Sequence, residues 1–282
     1  MRKRIGYSIV FAILLIAEIL IGRFATGFVR SYIGDVLVIP TIYFLLRIIF
    51  SKDNIFSVYV LPLLCYCLGR VAEFLQLIDI TGILGIDKGS LLGILIGGSF
   101  DLRDILAYLV GLYLIGIFLA LESRRSTDGR KWWYPIAVFL HCTWGYTQTV
   151  GGLILYLWYI RCPHSYYGEV IRTKWPLKMG LSLGLFIFTP EDPREDDTSE
   201  AAAAERKLNE EMAVHEYGHT FQALLFGPLY LIVVGIPSLA WGLIPAFKKM
   251  RSDKGISYTS LFCEKWASDW GETVTGKKAL RT

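Results

Sequence analysis

The chain has 282 residues, of which 54% are hydrophobic and 19% are charged, and its formal net charge is +4. This composition is more apolar than that of an ordinary soluble domain and indicates an integral membrane protein. The sequence contains no nucleic-acid-binding motif, no glycine loop for phosphate and no Cys-x-x-Cys pair. We therefore expect no nucleic acid partner and no disulfide framework.

Five apolar segments are long enough to cross a bilayer, which takes about 20 residues of helix. The first follows the basic sequence MRKR, which the positive-inside rule places in the cytoplasm. Four of them form a predicted amino-terminal membrane module over residues 1–121, and the fifth follows a basic, cytoplasmic loop at 122–134. The glycine-rich LLGILIGG (91–98) is too short to span and is expected to re-enter the membrane or lie at its interface. The predicted spans are 5–22, 36–50, 55–72, 105–121 and 135–160.

The sequence pattern changes after the fifth span. SYYGEVIRTKW and PLKMGLSLGLFIFTP are rich in aromatic and β-branched residues with glycine and proline between them, a pattern typical of strands around a turn. The acidic connector EDPREDDTSE then leads to a helix that Thr198 or Ser199 caps and that Gly227–Pro228 ends. Residues 135–282 are predicted to form an α+β membrane-associated module. The whole chain is predicted to be a predominantly α, multipass protein of a bacterial-type plasma membrane.

The stretch HEYGH, residues 215–219, contains two of the four histidines of the chain. Residues i and i+4 share one face of a helix, so His215 and His219 can bind one zinc ion together. Glu216, beside the first histidine, can accept a proton from water, which completes the H-E-x-x-H arrangement of zinc peptidases. The simpler interpretation is a pair of interfacial histidines that share a helix face.

HEYGHTFQALLFG resembles the active-site helix of site-2-protease-like membrane metallopeptidases, whose pattern is HExGHxxxAxxxG. The resemblance implies that His215 and His219 are zinc ligands and that Glu216 is the catalytic base. That family takes its third ligand from an NPDG-like motif on a later helix, and no such motif follows residue 219. The third ligand is therefore sought elsewhere in the chain.

A catalytic zinc site needs three protein ligands. Glu264, in the amphipathic stretch YTSLFCEKWASDWGE, resembles the third-ligand glutamate of HExxH…E zincins. The same resemblance implies that Asp269 supports a ligand histidine. In the simpler interpretation Glu264 is a surface carboxylate paired with Lys265. The alternative third ligands are Glu272, Asp269 and His164. The candidates for stabilising an oxyanion are Tyr258, Tyr217 and His164.

Membrane topology limits this ligand set. Glu264 can reach the histidines only if the chain returns to their side of the membrane after the motif helix. A helical hairpin bent at Gly227–Pro228 would bring it back, whereas a single crossing by residues 229–247 would exclude Glu264. Five spans favour an external site, and the basic residues around 172–178 and 248–254 favour a cytoplasmic one.

Ionisable and amide side chains gather at the ends of the predicted spans in the first module. Such groups are costly beside lipid unless they are paired or hydrated, so they indicate a polar pocket at one face of that module. The pocket residues are Arg30, Asp35, Glu73, Gln76, Asp101, Arg103 and Asp104. Their order over roughly residues 25–115 resembles VanZ-like membrane proteins, which implies a link to glycopeptide resistance and the cell envelope. The simpler interpretation is a structural ion-pair network.

These patterns predict a membrane-embedded, zinc-dependent peptidase. Its partners would be membrane lipid and a peptide or protein substrate at the membrane surface or in the envelope. The alternative is a non-catalytic, VanZ-like envelope protein that binds a lipid-linked or glycopeptide molecule, with the HEYGH metal structural or absent. Glu216 discriminates between the two, because hydrolysis needs this carboxylate and a structural metal site does not.

Overall fold

The computed structural model describes residues 2–87, 90, 100–123 and 133–281. The chain divides into two compact units, unit 1 (residues 1–128) and unit 2 (residues 129–282). The predicted re-entrant stretch 91–98 and residues 124–132 of the predicted basic loop lie outside the described residues.

The described part of unit 1 is helical. Short π-helical turns, Val29–Ile33 and Phe56–Val60, lead directly into the second and third helices. The α-helices are α1 (Arg2–Phe24), α2 (Gly34–Ile49), α3 (Leu61–Leu77), α4 (Ile80–Leu84) and α5 (Leu102–Ser123).

Four helical stretches of the described chain are long and apolar enough to cross a membrane. Large apolar side chains cover their outer faces, as shown by Ile13 of α1, which is 61% exposed. The first four predicted spans are thus confirmed as long apolar helices, as a membrane protein requires. The four stretches are Lys3–Phe24, Val29–Ile49, Phe56–Leu77 and Leu102–Leu119.

One end of unit 1 is held by a buried arginine that the sequence analysis did not identify. Arg47, at the end of α2, donates hydrogen bonds to the carbonyls of Phe50 (2.8 Å) and Lys52 (3.0 Å). It also pairs with Asp53 and lies over the Tyr7 ring, 4.5 Å from its centroid. A buried charge needs partners, and both terminal nitrogens of Arg47 have them. This network therefore fixes α1 against the turn that follows α2.

Unit 2 combines helices with a small sheet. Its strands are β1 (His164–Tyr167), β2 (Val170–Trp175), β3 (Leu181–Leu183) and β4 (Phe186–Pro190). Its helices are α6 (Tyr134–Thr143), α7 (Tyr146–Trp158), α8 (Glu200–Phe226), α9 (Ile236–Leu243), α10 (Pro245–Lys254) and α11 (Phe262–Thr275). Single turns of other helix types occupy Gly227–Leu229, Leu231–Gly235 and Tyr258–Ser260.

The predicted fifth span, residues 135–160, is two separate helices, α6 and α7, and is not among the four long apolar stretches of the described chain. The helix breaks at Gly145, whose ψ of 21° is not helical. Beyond the break, Thr149 is buried and donates to the His141 carbonyl (2.9 Å), and Gln148 is buried and donates to the Gly227 carbonyl. These polar groups therefore find their partners inside the unit.

The strand prediction is confirmed, although the arrangement differs from a single hairpin. Each of the two quoted segments turns back on itself at a glycine with positive φ, at Gly168 (62°) and Gly184 (60°). Two antiparallel hairpins result, and β2 and β4 join them in parallel, so the sheet order is β1-β2-β4-β3. This order leaves β3 at an edge of the sheet.

Helix α8 begins and ends where the sequence predicted. The Ser199 side chain accepts a hydrogen bond from the backbone N–H of Ala202 (3.1 Å), and Gly227 ends the helix with a φ of 50°. The chain then bends, so that Glu200–Leu229 and Leu231–Leu243 lie at 117° to each other. This bent pair is apolar enough to be a broken span or a re-entrant loop. After the bend, residues 244–261 lead into α11.

Candidate metal centre

The two motif histidines lie on the buried face of α8, where α11 packs against it. His215 Nε2 is 2.9 Å from Glu264 Oε2, and His219 Nε2 is 3.4 Å from the same oxygen. All three side chains are at most 5% exposed. The structure thus brings together the three residues that the sequence singled out as ligands.

Two glycines allow α8 and α11 to approach closely enough for this contact. A Cβ on Gly218 would overlap the carbonyl of Ala267, and a Cβ on Gly271 would overlap the carbonyl of Val214. Each helix therefore offers a glycine to the backbone of the other. Gly218 weakens α8 by about 1 kcal/mol relative to alanine, and the close crossing explains why it stands between the two histidines.

The proton of His215 is assigned by a chain of hydrogen bonds. The Ser268 hydroxyl donates to the Leu280 carbonyl (3.2 Å), so its oxygen accepts from His215 Nδ1 (2.9 Å). Because Nδ1 carries a proton in this arrangement, Nε2 is the ring nitrogen that faces Glu264 and is left for a metal. A hydrogen bond at the other ring nitrogen selects the metal-binding tautomer in the same way.

His219 is held in the same tautomer by a different partner. The Gln222 amide nitrogen donates to the Cys263 carbonyl (2.7 Å), which orients its oxygen to accept from His219 Nδ1 (2.7 Å). The Nε2 of His219 is therefore the ring nitrogen left for a metal. Without a metal, the Nε2 atoms of both imidazoles lie against one carboxylate, with which they can share a proton.

Three electron-pair donors that converge in a buried site repel one another unless a cation lies between them. Burial alone would raise the pKa of Glu264, but hydrogen bonding to His215 and His219 holds this pKa well below its usual range. The three ligand atoms lie within 4.8 Å of one another. Zinc bonds of about 2.0–2.1 Å in tetrahedral geometry would place such atoms about 3.3 Å apart. The donor set therefore fits a zinc ion with one open position.

Glu216 is buried at 6% exposure and lies against the backbone that leads into β3. A Cβ on Gly180 would overlap its carboxylate, so only glycine leaves room for Glu216 there. The carboxylate thus lies between the motif helix and the start of an edge strand. An edge strand can pair with an extended peptide through its free backbone groups.

Two tyrosines lie near the site in the chain between α8 and α11, and the Tyr258 hydroxyl is hydrogen-bonded to Ser238 (3.1 Å). Burial raises the pKa of the Tyr258 hydroxyl, and so do the nearby carboxylates of Glu264 and Glu216. The pKa of Tyr230 is raised for the same reasons, and its ring packs with Ala223 and Cys263. Tyr258 was a sequence candidate for stabilising an oxyanion, but Tyr230 was missed. A tyrosine in an apolar run carries no sequence signal, and only the bend after α8 turns it inward.

The other two oxyanion candidates lie elsewhere in unit 2. The hydroxyl of Tyr217 donates to Glu169. His164 is hydrogen-bonded to Thr173 (3.0 Å) and to the Ile160 carbonyl (3.2 Å) within the sheet region. Both residues therefore have structural partners away from the histidine pair.

Asp269 does not contact a ligand histidine; the adjacent Ser268 does. Glu264 and Ser268 are four residues apart and share one face of α11, whereas Asp269 is turned about 100° further round the helix. Its carboxylate binds Arg281 (2.7 Å), as does that of Glu272 (2.7 Å). The two alternative ligands, Asp269 and Glu272, thus belong to a surface ion-pair cluster.

In unit 1, four of the predicted pocket residues come together at the end where α5 begins. Buried Glu73 accepts hydrogen bonds from the Tyr108 hydroxyl (3.0 Å) and from the backbone N–H of Asp101 (3.4 Å). The carboxyl groups of Asp35 and Asp104 lie close enough to each other to interact. We call Asp35, Glu73, Asp101 and Asp104 the acidic group.

The side chains of the remaining predicted pocket residues make no described contact with the acidic group. Arg103 donates to the Tyr32 hydroxyl (2.7 Å), and its backbone N–H donates to Asp101 (2.9 Å). Arg30 is exposed and Gln76 is half-buried. The predicted ion-pair network is thus mainly a set of neighbouring carboxylates.

Comparison with known proteins gives one match. Residues 24–112, less than a third of the chain and all within unit 1, match the sequence model of a family described as a protein of unknown function (DUF2809). The match covers the region in which the sequence resembled VanZ-like proteins, but the family that matches is DUF2809. No curated protein and no solved structure matches the chain.

Proposed function

We propose that this protein is a multipass membrane protein whose unit 2 is a zinc-dependent hydrolase of peptide bonds. His215, His219 and Glu264 would hold the metal, and Glu216 would be the general base. The observation that carries the proposal is the convergence of two Nε2 atoms and one buried carboxylate, with both Nδ1 atoms hydrogen-bonded to other acceptors.

Each side chain has a distinct part in the proposed reaction. A bound zinc ion would supply Lewis acidity, which polarises a carbonyl and lowers the pKa of water. Glu216 would take a proton from the attacking water and pass it to the leaving nitrogen as the C–N bond breaks, giving a carboxylic acid and an amine. Tyr230 and Tyr258, which face the carboxylates, would donate to the carbonyl oxygen as negative charge develops there.

The position of β3 supports a peptide as the substrate. It lies at an edge of the sheet and begins beside Gly180, which touches Glu216. An extended peptide paired with β3 would bring its backbone carbonyls to the motif helix. The four long apolar stretches of unit 1 support a membrane location. We propose a bacterial-type plasma membrane, with proteins or peptides at the membrane surface or in the envelope as the substrates.

The first test is the zinc content of the full chain purified in detergent. We expect about one zinc ion per chain in the wild type and none in His219→Ala or Glu264→Ala. Glu216→Gln should keep the metal and lose cleavage of a fluorescent casein. Glu205→Gln, on the same helix but paired with exposed Lys178, is the matched control and should keep both.

A wild-type protein that takes up no zinc, even after incubation with the metal, would rule out the hydrolase. A second candidate would then be favoured by the acidic group, in which buried Glu73 is held by Tyr108 and the backbone of Asp101. In that case unit 1 would be a VanZ-like binding module for a lipid-linked or glycopeptide molecule. Glu216→Gln would then leave its function unchanged.

A further inference from the structure

The chain continues past α11 into a short segment, Lys277–Arg281, that runs between the two ligand-bearing helices. The backbone N–H of Leu280 donates to the Glu211 carbonyl of α8 (2.9 Å), and the carbonyl of Leu280 accepts from Ser268 of α11 (3.2 Å). One residue, Leu280, thus bridges α8 and α11 through its backbone. It does so on the side of His215 that faces away from Glu264.

This segment is held down by ion pairs. Arg281 binds Asp269 (2.7 Å) and Glu272 (2.7 Å and 3.2 Å). The backbone N–H of Ala279 donates to Glu272 as well (3.0 Å), and the Ala279 side chain is buried. The residues on both sides of Leu280 are therefore fixed to α11, which sets the position of the Leu280 carbonyl.

We propose that Lys277–Arg281 is a latch on the metal centre, an inference that rests on the proposed metal site. The latch presents the Leu280 carbonyl to Ser268, so that the Ser268 hydroxyl must accept, rather than donate, at His215 Nδ1. This keeps the Nε2 lone pair of His215 directed at the metal. Ser268 and Arg281 are thus positioning residues that lie 53 and 66 positions after the histidine they orient.

The alternative is that the segment only packs against the helices and stabilises unit 2. The two roles differ in what the Ser268 hydroxyl does. In the latch its loss frees the His215 ring to take the other tautomer, and partners of this kind contribute about 10–100-fold to metal affinity. In simple packing its loss changes stability and leaves the affinity of the folded protein unchanged.

The test is the zinc affinity of the full chain in detergent, measured by competition with a chelating dye. Ser268→Ala should bind zinc about 10–100-fold more weakly, and Ser268→Thr, which keeps the hydroxyl, should restore the wild-type affinity. Thr273→Ala is the matched control, because it removes a hydroxyl from the same helix whose partner is the Asp269 carbonyl. It should bind as the wild type does.

Arg281→Gln tests the latch at a distance, and its exposed position makes it a safe change for folding. It should weaken zinc binding by less than Ser268→Ala, because the bond from Leu280 to Glu211 remains. The visible spectrum of the Co²⁺-loaded protein should shift in Ser268→Ala and return in Ser268→Thr. Wild-type affinity in either Ser268→Ala or Arg281→Gln would overturn the latch and leave the metal site standing. A wild-type chain that binds no metal would instead remove the proposed function itself.

Discussion

The two polar clusters of this protein use similar side chains in opposite ways. In unit 2, Glu264 faces two imidazole nitrogens whose protons are held elsewhere by Ser268 and Gln222. In unit 1, Glu73 accepts from a tyrosine and a backbone N–H, and its neighbours are further carboxylates. The first cluster has the Nδ1 atoms of its histidines hydrogen-bonded from outside, whereas the second brings several carboxylates together with no described cation paired to Asp35 or Asp104.

The two clusters also show what distinguishes a set of metal ligands from a group of neighbouring acidic residues. A metal centre needs donors held in place before the metal arrives, because each freely rotating ligand costs entropy on binding. Two helices crossing at Gly218 and Gly271 provide that rigidity in unit 2. In the acidic group, Glu73 has such partners in Tyr108 and the backbone N–H of Asp101, whereas no hydrogen bond from outside the group is described for the side chains of Asp35 and Asp104.

The largest expected difference is in metal binding. His219→Ala should reduce zinc affinity by more than about 100-fold, because loss of a ligand exceeds the 10–100-fold effect of a ligand's hydrogen-bond partner. Asp104→Asn, in the acidic group, should leave zinc content unchanged. Isothermal titration with zinc measures both. Equal losses in the two variants would contradict the assignment of the metal to the cluster in unit 2.

The glycine crossing gives the next largest effect. Gly271→Ala forces a methyl group against the Val214 carbonyl, and overpacking of this kind costs about 1–3 kcal/mol. Gly235→Ala is the control, since its Cβ would meet only ordinary contacts at 3.6–3.9 Å. All eight tryptophans lie at position 132 or later, so tryptophan fluorescence during heating reports on unit 2. Zinc content should fall in Gly271→Ala and not in Gly235→Ala.

Much of unit 2 could be predicted from local signals. The Ser199 cap, the Gly227 end and the four-residue histidine spacing are all encoded within a few neighbouring residues, and α8 has the predicted bounds. The strands were recognised from their composition. Their joining through β2 and β4 was not, because pairing between distant segments leaves no mark in either segment.

The parts that the sequence could not provide depend on long-range contacts. Ser268 was overlooked in favour of Asp269, because residue type suggested the carboxylate while the helix face selected the hydroxyl. In the sequence, Arg47 looks like any arginine at the end of an apolar span. Only the structure shows its contacts with Asp53 and Tyr7. The fifth span failed for a related reason, since the buried partners of Gln148 and Thr149 cannot be seen along the chain.

A smaller effect concerns the stability of unit 1, where removing a carboxylate from the acidic group should be stabilising. Asp35→Asn removes an ionisable carboxyl from a group of neighbouring carboxylates and keeps the shape of the side chain. Because like charges repel, unit 1 should become more stable, by about 0.5–1 kcal/mol. Differential scanning calorimetry of the detergent-purified chain measures the change. A lower unfolding temperature would mean that a cation normally lies among these carboxylates, as we propose for unit 2.

The smallest effect concerns acid stability in unit 2, where carboxylates have cationic partners. Burial alone would raise the pKa of Asp192, but its hydrogen bonds with Lys174 and Asn209 lower it below the usual 3.8. A lowered folded-state pKa stabilises the protein above the unfolded value, and this stabilisation is lost as the pH falls through the folded-state pKa.

Asp192→Asn should therefore lose about 0.5 kcal/mol near neutral pH and show a shallower decline below pH 3.8. Tryptophan fluorescence during heating, with a chelator present in both samples, isolates this contribution from metal binding. If the stability of the variant and that of the wild type fall in parallel with pH, the pairing of Asp192 with Lys174 does not contribute to acid stability. The carboxylates of unit 2 would then resemble those of unit 1, where no described cation offsets the charge of Asp35 or Asp104.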